Sequence, residues 1–258
     1  MEVILDNVPG GCFCIIKKEE NYYMFCGNHI SNKEINEIII PDLVWPNEKR
    51  KILDWNVSRN DRKNGLYLLY SNNGIKWNNL YDKPIIHSYI SSDSCKLGEL
   101  GFDTNPRIIY YNNQYLFYSR LNSSLDERRL CVRKSNDLIN WSLPEKIDII
   151  NENNNNLKKN YYNIVIFEKN NILYGLCPYF EACGTIQRKC VNGCTILLKS
   201  NDGLKWEIIE YFNYHEGKYN DRINEAIIHE DTIKIFYREN VIKLNQNFIS
   251  YDLNIFFE

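Results

Sequence analysis

Apolar and polar positions along this chain fall into short runs, each followed by a cluster of Asn, Asp or Gly. Arg129-Leu130-Cys131-Val132-Arg133 and Thr195-Ile196-Leu197-Leu198-Lys199 are two such runs, and Leu66-Tyr67-Leu68-Leu69-Tyr70 is a third. Runs of about five aliphatic and aromatic residues bounded by turn formers predict strands. Each of the three leads into one pattern: Ser71-Asn72-Asn73-Gly74-Ile75-Lys76-Trp77, Ser135-Asn136-Asp137-Leu138-Ile139-Asn140-Trp141 and Ser200-Asn201-Asp202-Gly203-Leu204-Lys205-Trp206. From Ser71 to Ser135 and from Ser135 to Ser200, consecutive copies are 64 and 65 residues apart. Near-equal spacing predicts a repeated supersecondary unit.

A further hairpin precedes the second and third copies. Pro106 to Tyr111 and Gln114 to Ser119 flank Asn112-Asn113, and Asn163 to Phe167 and Ile172 to Gly175 flank Asn170-Asn171. Asn tolerates the positive φ that a two-residue hairpin turn requires. Two hairpins per unit predict a four-stranded blade. Partial equivalents stand at Cys12 to Cys26, with a Glu-Glu-Asn turn, and at Ala226 to Arg238, with a Glu-Asp turn. The best helical candidate, Ser31 to Ile40, ends at Pro41 and is too short to anchor a layer. The expected fold is all-β, a five-bladed β-propeller of four-stranded antiparallel blades in a single domain, 1–258. Asn151 to Asn156 is expected to be an exposed loop.

The blade residues resemble a known family. Gly101-Phe102-Asp103-Thr104-Asn105-Pro106, then Tyr115 to Arg120, then Arg128 to Pro144, resemble the blade signature of the five-bladed propeller glycoside hydrolases of the arabinanase, levansucrase and invertase type, with their sialidase-like relatives. The similarity runs from about Val8 to Arg238. It implies a carbohydrate as substrate or ligand. It also implies three acids: one near the first inner strand, one in an Arg-Asp-Pro motif on a middle blade, and a glutamic acid on a later blade. Here the middle-blade motif reads Thr104-Asn105-Pro106, so Asn105 replaces the aspartate and Asp103 lies two positions earlier. Asp6 stands near the first strand.

In a propeller the starts of inner strands converge at one mouth of the axial channel, so acids from distant blades can meet there. Asp103 and Glu225 are the expected pair, Glu225 as general acid immediately before an apolar strand, with Asp6 or Asp54 as a third acid. Glycoside hydrolysis needs two carboxylates across the bond, about 5–5.5 Å apart for retention or about 6.5–9.5 Å for inversion. The alternative is that these acids cap turns or pair with Arg107, Arg120 or Arg222. Arg120 and Arg238 each follow the second strand of a hairpin. With Arg222 they either bind an anionic group bidentately or brace neighbouring blades. Asn105, Trp55, Tyr179 and Glu181 complete the expected substrate-binding set, with Trp45 and Phe180 as further aromatic surfaces for a sugar face.

Composition narrows the function classes. A formal net charge of -2 with Lys and Arg scattered among acids predicts no nucleic-acid partner. No window approaches the ~18 apolar residues of a membrane span, and the N-terminal stretch has acids within it and no cationic lead, which predicts a cytoplasmic protein. The richness in Asn, Ile, Lys and Tyr suits an AT-rich genome, such as that of a large DNA virus, and with Asn105 leaves room for a catalytically inactive carbohydrate-binding or structural, virion-associated propeller, or a protein-interaction platform. Nine cysteines, an odd number, predict reduced thiols. Cys177, Cys183, Cys190 and Cys194 are the one group with a conceivable zinc or disulfide role, but their spacing is not that of a Cys-x2-Cys knuckle, so no metal and no cofactor is assigned. The four histidines are dispersed and carry no expected role.

Overall fold

The computed structural model describes residues 12–28, 65–81, 84–86, 106–122, 128–152, 157–182, 190–216, 222–229, 232–238 and 246–252. Among them there are strands, turns and bends and no helix, as expected for an all-β chain; the helical candidate at 31–40 lies outside the described residues. The chain divides into two compact units, Met1–Lys146 and Ile147–Glu258.

The first unit holds two antiparallel four-stranded sheets. One is built from β1 (Cys12–Lys18), β2 (Asn21–Asn28), β3 (Gly65–Ser71) and β4 (Asn78–Asn79), the other from β5 (Arg107–Tyr111), β6 (Gln114–Asn122), β7 (Arg128–Ser135) and β8 (Glu145–Lys146). Each follows chain order from edge to edge, the four-stranded blade that the paired hairpins predict. The turn between β5 and β6 places Asn112 and Asn113 at φ 48° and 61°, the left-handed pair that a tight hairpin demands. One core cluster joins both sheets: Cys14, Phe25, Leu66 and Leu68 from the first, and Tyr115, Phe117 and Leu138 from the second. Trp141, the tryptophan of the second repeat, stands edge-on to Phe25 at 5.7 Å and to Phe117 at 5.5 Å. Its ring therefore locks one sheet to the next, at about 1.5–3 kcal/mol for each large apolar side chain buried.

The repeated Ser-Asn-(Asn/Asp) segment is one turn built three times from the same hydrogen bonds. The hydroxyl oxygens of Ser71, Ser135 and Ser200 each accept from the backbone N–H groups two and three residues on. The side-chain oxygens of Asn73, Asp137 and Asp202 accept from the next pair, at 2.8–3.0 Å. Four backbone donors are thus satisfied by two side chains in each turn. The fourth residue adopts positive φ: Gly74 at 70°, Leu138 at 72° and Gly203 at 77°. Glycine takes this conformation freely and leucine does not. Leu138 tolerates it because its side chain is fully buried in the core that joins the first two sheets. Trp141 and Trp206 close their turns by donating from the indole to the carbonyls of Leu138 and Gly203, at 3.0 and 3.1 Å.

The second unit departs from four antiparallel strands. Its first sheet contains β9 (Asp148–Ile150), β10 (Lys158–Tyr161), β11 (Val165–Lys169), β12 (Ile172–Ala182), β13 (Cys190–Ser200) and β14 (Lys205–Glu216). The order is β10-β12-β13-β14-β9, with β11 also on β12, and β9 runs parallel to β14. Both changes have local causes. β10 and β11 are one edge interrupted where it passes Pro178, which has no N–H to give; the Pro178 carbonyl instead accepts from Tyr162 N–H at 3.1 Å. β9 reaches β14 with no hairpin between them, so no turn imposes the antiparallel sense. A second sheet is antiparallel and three-stranded: β15 (Arg222–His229), β16 (Thr232–Arg238) and β17 (Gln246–Asp252). The described residues thus form four sheets.

Candidate functional site

Strand periodicity gathers a buried polar face on the six-stranded sheet. Residues two apart on a strand share a face, so Cys177, Tyr179 and Glu181 of β12 lie together. The register sets Tyr161 and Lys159 of β10 opposite Tyr179 and Glu181, and Cys194 of β13 opposite Tyr179 on the other side. All six side chains are buried. The Tyr179 hydroxyl donates to Glu181 Oε1 at 2.8 Å. The Tyr161 hydroxyl donates to Glu152 Oε1 at 2.6 Å, and Lys159 Nζ lies 3.3 Å from Glu152 Oε2. Rings of Tyr161 and Tyr211 flank Tyr179, with centroids at 5.3 and 6.0 Å.

The electrostatics keep the phenol and the thiol of this face from acting as nucleophiles. Burial pushes the Tyr179 hydroxyl far above its ordinary value, and its hydrogen bond to Glu181 and the charge of that carboxylate push it further. Burial and then Glu181 raise the Cys194 thiol to about 12. Near neutral pH the face is therefore a neutral phenol and a neutral thiol beside acids held by hydrogen bonds.

The placement of the expected residues is uneven. Tyr179 and Glu181 are brought into direct contact. Arg120 lies near the end of β6 opposite Leu130, with 6% of its surface exposed. Asp6, Trp55, Asp103 and Asn105 lie outside the described residues, as do Asp54, Trp45 and Cys183. Glu225 does not precede its strand; it is the fourth residue of β15, which begins at Arg222.

A bulge decides what accompanies Glu225. Arg222 pairs with Arg238 and Ile223 with Tyr237, after which the register shifts and Glu225 pairs with Phe236, leaving Asn224 as the extra residue. Residues 222 and 225, an odd number apart, would otherwise occupy opposite faces. By register, Arg222, Glu225, Ile227, Arg238, Phe236, Lys234, Gln246 and Phe248 fall on one face, and Ile223, Ala226, Ile228, Tyr237, Ile235, Ile233, Asn247 and Ile249 on the other.

The residues that sequence reasoning missed are Lys159, Tyr161, Glu152 and Tyr211. The signal for the first two was the two-residue spacing in Lys159-Asn160-Tyr161, matched by Tyr179-Phe180-Glu181. Cys177 and Cys194 are free, buried thiols, and the Cys177 thiol donates to the Pro178 carbonyl at 3.4 Å. Among the described residues no group of three or more His, Cys, Asp or Glu is arranged to hold a metal ion.

No family model matches the chain, and no curated protein does. Solved structures do. A thermostable family-43 glycoside hydrolase superposes with a TM-score of 0.54 at 14% identity, covering 91% of this chain and 66% of its own. The family-32 β-fructofuranosidase of Bombyx mori gives 0.53 at 12%, covering 95% and 45%. A glycosidase structure from Bacteroides thetaiotaomicron gives 0.52 at 13%, covering 94% and 68%. The chain thus spans just under two thirds of the family-43 enzyme and less than half of the fructofuranosidase. In fold, the chain is similar to glycoside hydrolases of families 43 and 32.

Proposed function

We propose that this chain is a glycosidase-like propeller of five blades that binds a carbohydrate and hydrolyses it with a carboxylate pair. Asp103 and Glu225 are the pair, Glu225 as general acid and Asp6 as third acid. Asn105, Arg120, Arg222, Arg238, Trp55, Tyr179 and Glu181 contact the sugar. One observation carries the reading: a bulge leaves Asn224 unpaired in β15 and sets Glu225 in register with Phe236, on the face that the register also gives to Arg222 and Arg238. A bulge that sets one acid against the local alternation is the kind of feature found beside active sites. The fold shared with family-43 and family-32 glycoside hydrolases supports the same conclusion.

The test is turnover of a panel of aryl glycosides, with furanosides and pyranosides both represented. Glu225→Gln and Asp103→Asn are each expected to lower kcat by about 10²–10⁴-fold. Turnover indifferent to both changes removes the assignment. A second reading, a propeller that binds carbohydrate without cleaving it, is favoured by Asn105 standing where the resemblance expects an aspartate. Saccharide binding without turnover selects it.

A further inference from the structure

β10 brings two hydrogen-bond donors to β12. Lys159 lies directly opposite Glu181, and Tyr161 directly opposite Tyr179, all four side chains being buried. The Cβ atoms of directly opposed residues are only about 4.5–5.5 Å apart, so an ammonium on a four-carbon stem is within reach of the Glu181 carboxylate. It is held elsewhere. Glu152 Oε2 lies 3.3 Å from Lys159 Nζ, and Glu152 Oε1 accepts the Tyr161 hydroxyl at 2.6 Å. One carboxylate thus takes both donors of β10, while the phenol that donates to Glu181 comes from two residues back on its own strand, Tyr179, at 2.8 Å. A buried ion pair often adds no stability over apolar side chains of similar volume, so folding alone gives little reason for Lys159 and Glu152 to stand here.

We propose that Glu152 is a positioning residue for the sugar-contacting pair: by holding Lys159 it keeps that ammonium off Glu181, so that Glu181 and Tyr179 meet saccharide hydroxyls as a carboxylate and a neutral phenol. An ammonium drawn onto Glu181 would occupy the carboxylate with a charge-assisted hydrogen bond, stronger than any a sugar hydroxyl offers. Lys159 in turn neutralises Glu152, whose bond to the Tyr161 hydroxyl fixes that ring 5.3 Å from the ring of Tyr179. This inference rests on the reading that Tyr179 and Glu181 contact a sugar, and adds the residue that keeps them able to do so.

Glu152→Gln isolates the role, because glutamine keeps an acceptor for Tyr161 and loses the charge that holds Lys159. Binding of a fructose, an arabinose and a galactose oligomer is measured by calorimetry on the unaltered full chain, on Glu152→Gln and on Glu152→Gln/Lys159→Met. The single change is expected to weaken saccharide binding about tenfold, and the double change to restore it to within about threefold of the unaltered chain. Glu181 itself is followed by carbon NMR of chain labelled at glutamate. In Glu152→Gln its carboxyl is expected to stay ionised to lower pH than in the unaltered chain, since an ammonium beside it favours the charged form, and the double change is expected to abolish that difference. A purely structural role would alter stability and leave the Glu181 titration in place. Where Glu152→Gln does not fold, the double change carries the test, because it removes the pair as a unit and strands no charge; loss of saccharide binding there overturns the inference, since no ammonium remains to capture Glu181. Binding and titration both unchanged in Glu152→Gln overturn the inference alone. Failure of all three oligomers to bind the unaltered chain overturns it together with the carbohydrate reading.

Discussion

The Tyr179 hydroxyl and the Glu181 carboxylate are joined at 2.8 Å across one turn of the pleat of a single strand, both buried. A buried carboxylate is tolerated when its lone pairs are met, and the phenol is one of the donors that meets them. Tyr179→Phe keeps the ring and removes that donor. The expected cost is about 1–3 kcal/mol in urea unfolding, with Tyr179→Phe/Glu181→Gln less costly than the sum of the two single changes. Strict additivity would show that the two groups do not support one another.

The repeated turns predict their own acid sensitivity. The Asn140 N–H, with further hydrogen bonds from the Asn140 side chain, Ile139 and Ser135, holds the Asp137 carboxyl well below the usual carboxylate range, outweighing the effect of desolvation. For Asp202 burial acts upward, but the N–H groups of Lys205 and Leu204 outweigh it and the net shift is downward. A carboxyl whose folded pKa is depressed contributes stability above its unfolded value, about 3.9, and that contribution is lost as pH falls through the folded value. Stability is therefore expected to decline below about pH 4, and the decline to shrink in Asp137→Asn/Asp202→Asn.

The first repeat supplies the control for those substitutions. Asn73 Oδ1 accepts the same two backbone bonds, at 2.9 and 3.0 Å, that the aspartates accept in the other turns. Asp202→Asn is accordingly expected to cost less than about 0.5 kcal/mol at neutral pH, and Asp202→Ala about 1 kcal/mol, because alanine leaves both donors to solvent. Equal losses in the two variants, measured by thermal melting, would refute the account of the turn.

Gly175 is fixed by close approach and not by φ. A Cβ there would stand 2.5 Å from Ile164 Cδ1 and 3.0 Å from Trp206 Cζ3. Gly175→Ala is expected to destabilise by about 1–3 kcal/mol through overpacking. Ile164→Val removes the nearer atom, so Gly175→Ala/Ile164→Val should recover part of the loss. No recovery would place the strain at the contacts that remain, Ile164 Cγ1 and Trp206 Cζ3, both at 3.0 Å.

Buried thiols predict an alkaline limit. Burial raises Cys14, Cys26 and Cys194 to about 12, Cys194 being pushed up further by Glu181. A raised folded pKa means that the native state holds its protons while the unfolded chain releases them, from about pH 8.5. Stability is present in full below that pH and falls steadily toward pH 12. Urea midpoints under reducing conditions between pH 7.5 and 10.5 should descend, and thiol labelling in the native state should stay slow throughout. A flat midpoint would mean that these thiols are not buried in solution.

What the chain alone determines is whatever a few neighbouring residues can settle among themselves. Ser135 and Asp137 satisfy four nearby N–H groups, Asn112-Asn113 supplies the positive φ of its hairpin, and alternation aims Tyr179 and Glu181 the same way; each is readable because partner and residue are adjacent in sequence. Tertiary structure decided the rest through contacts between distant segments. It brought β3 against β2, separated from it by 36 residues, laid β9 parallel along β14, and set Lys159 opposite Glu181 across the edge that Pro178 interrupts. The bulge at Asn224 belongs to the same class. Nothing in Arg222-Ile223-Asn224-Glu225 announces an unpaired residue, and only the register with β16 fixes which side Glu225 takes.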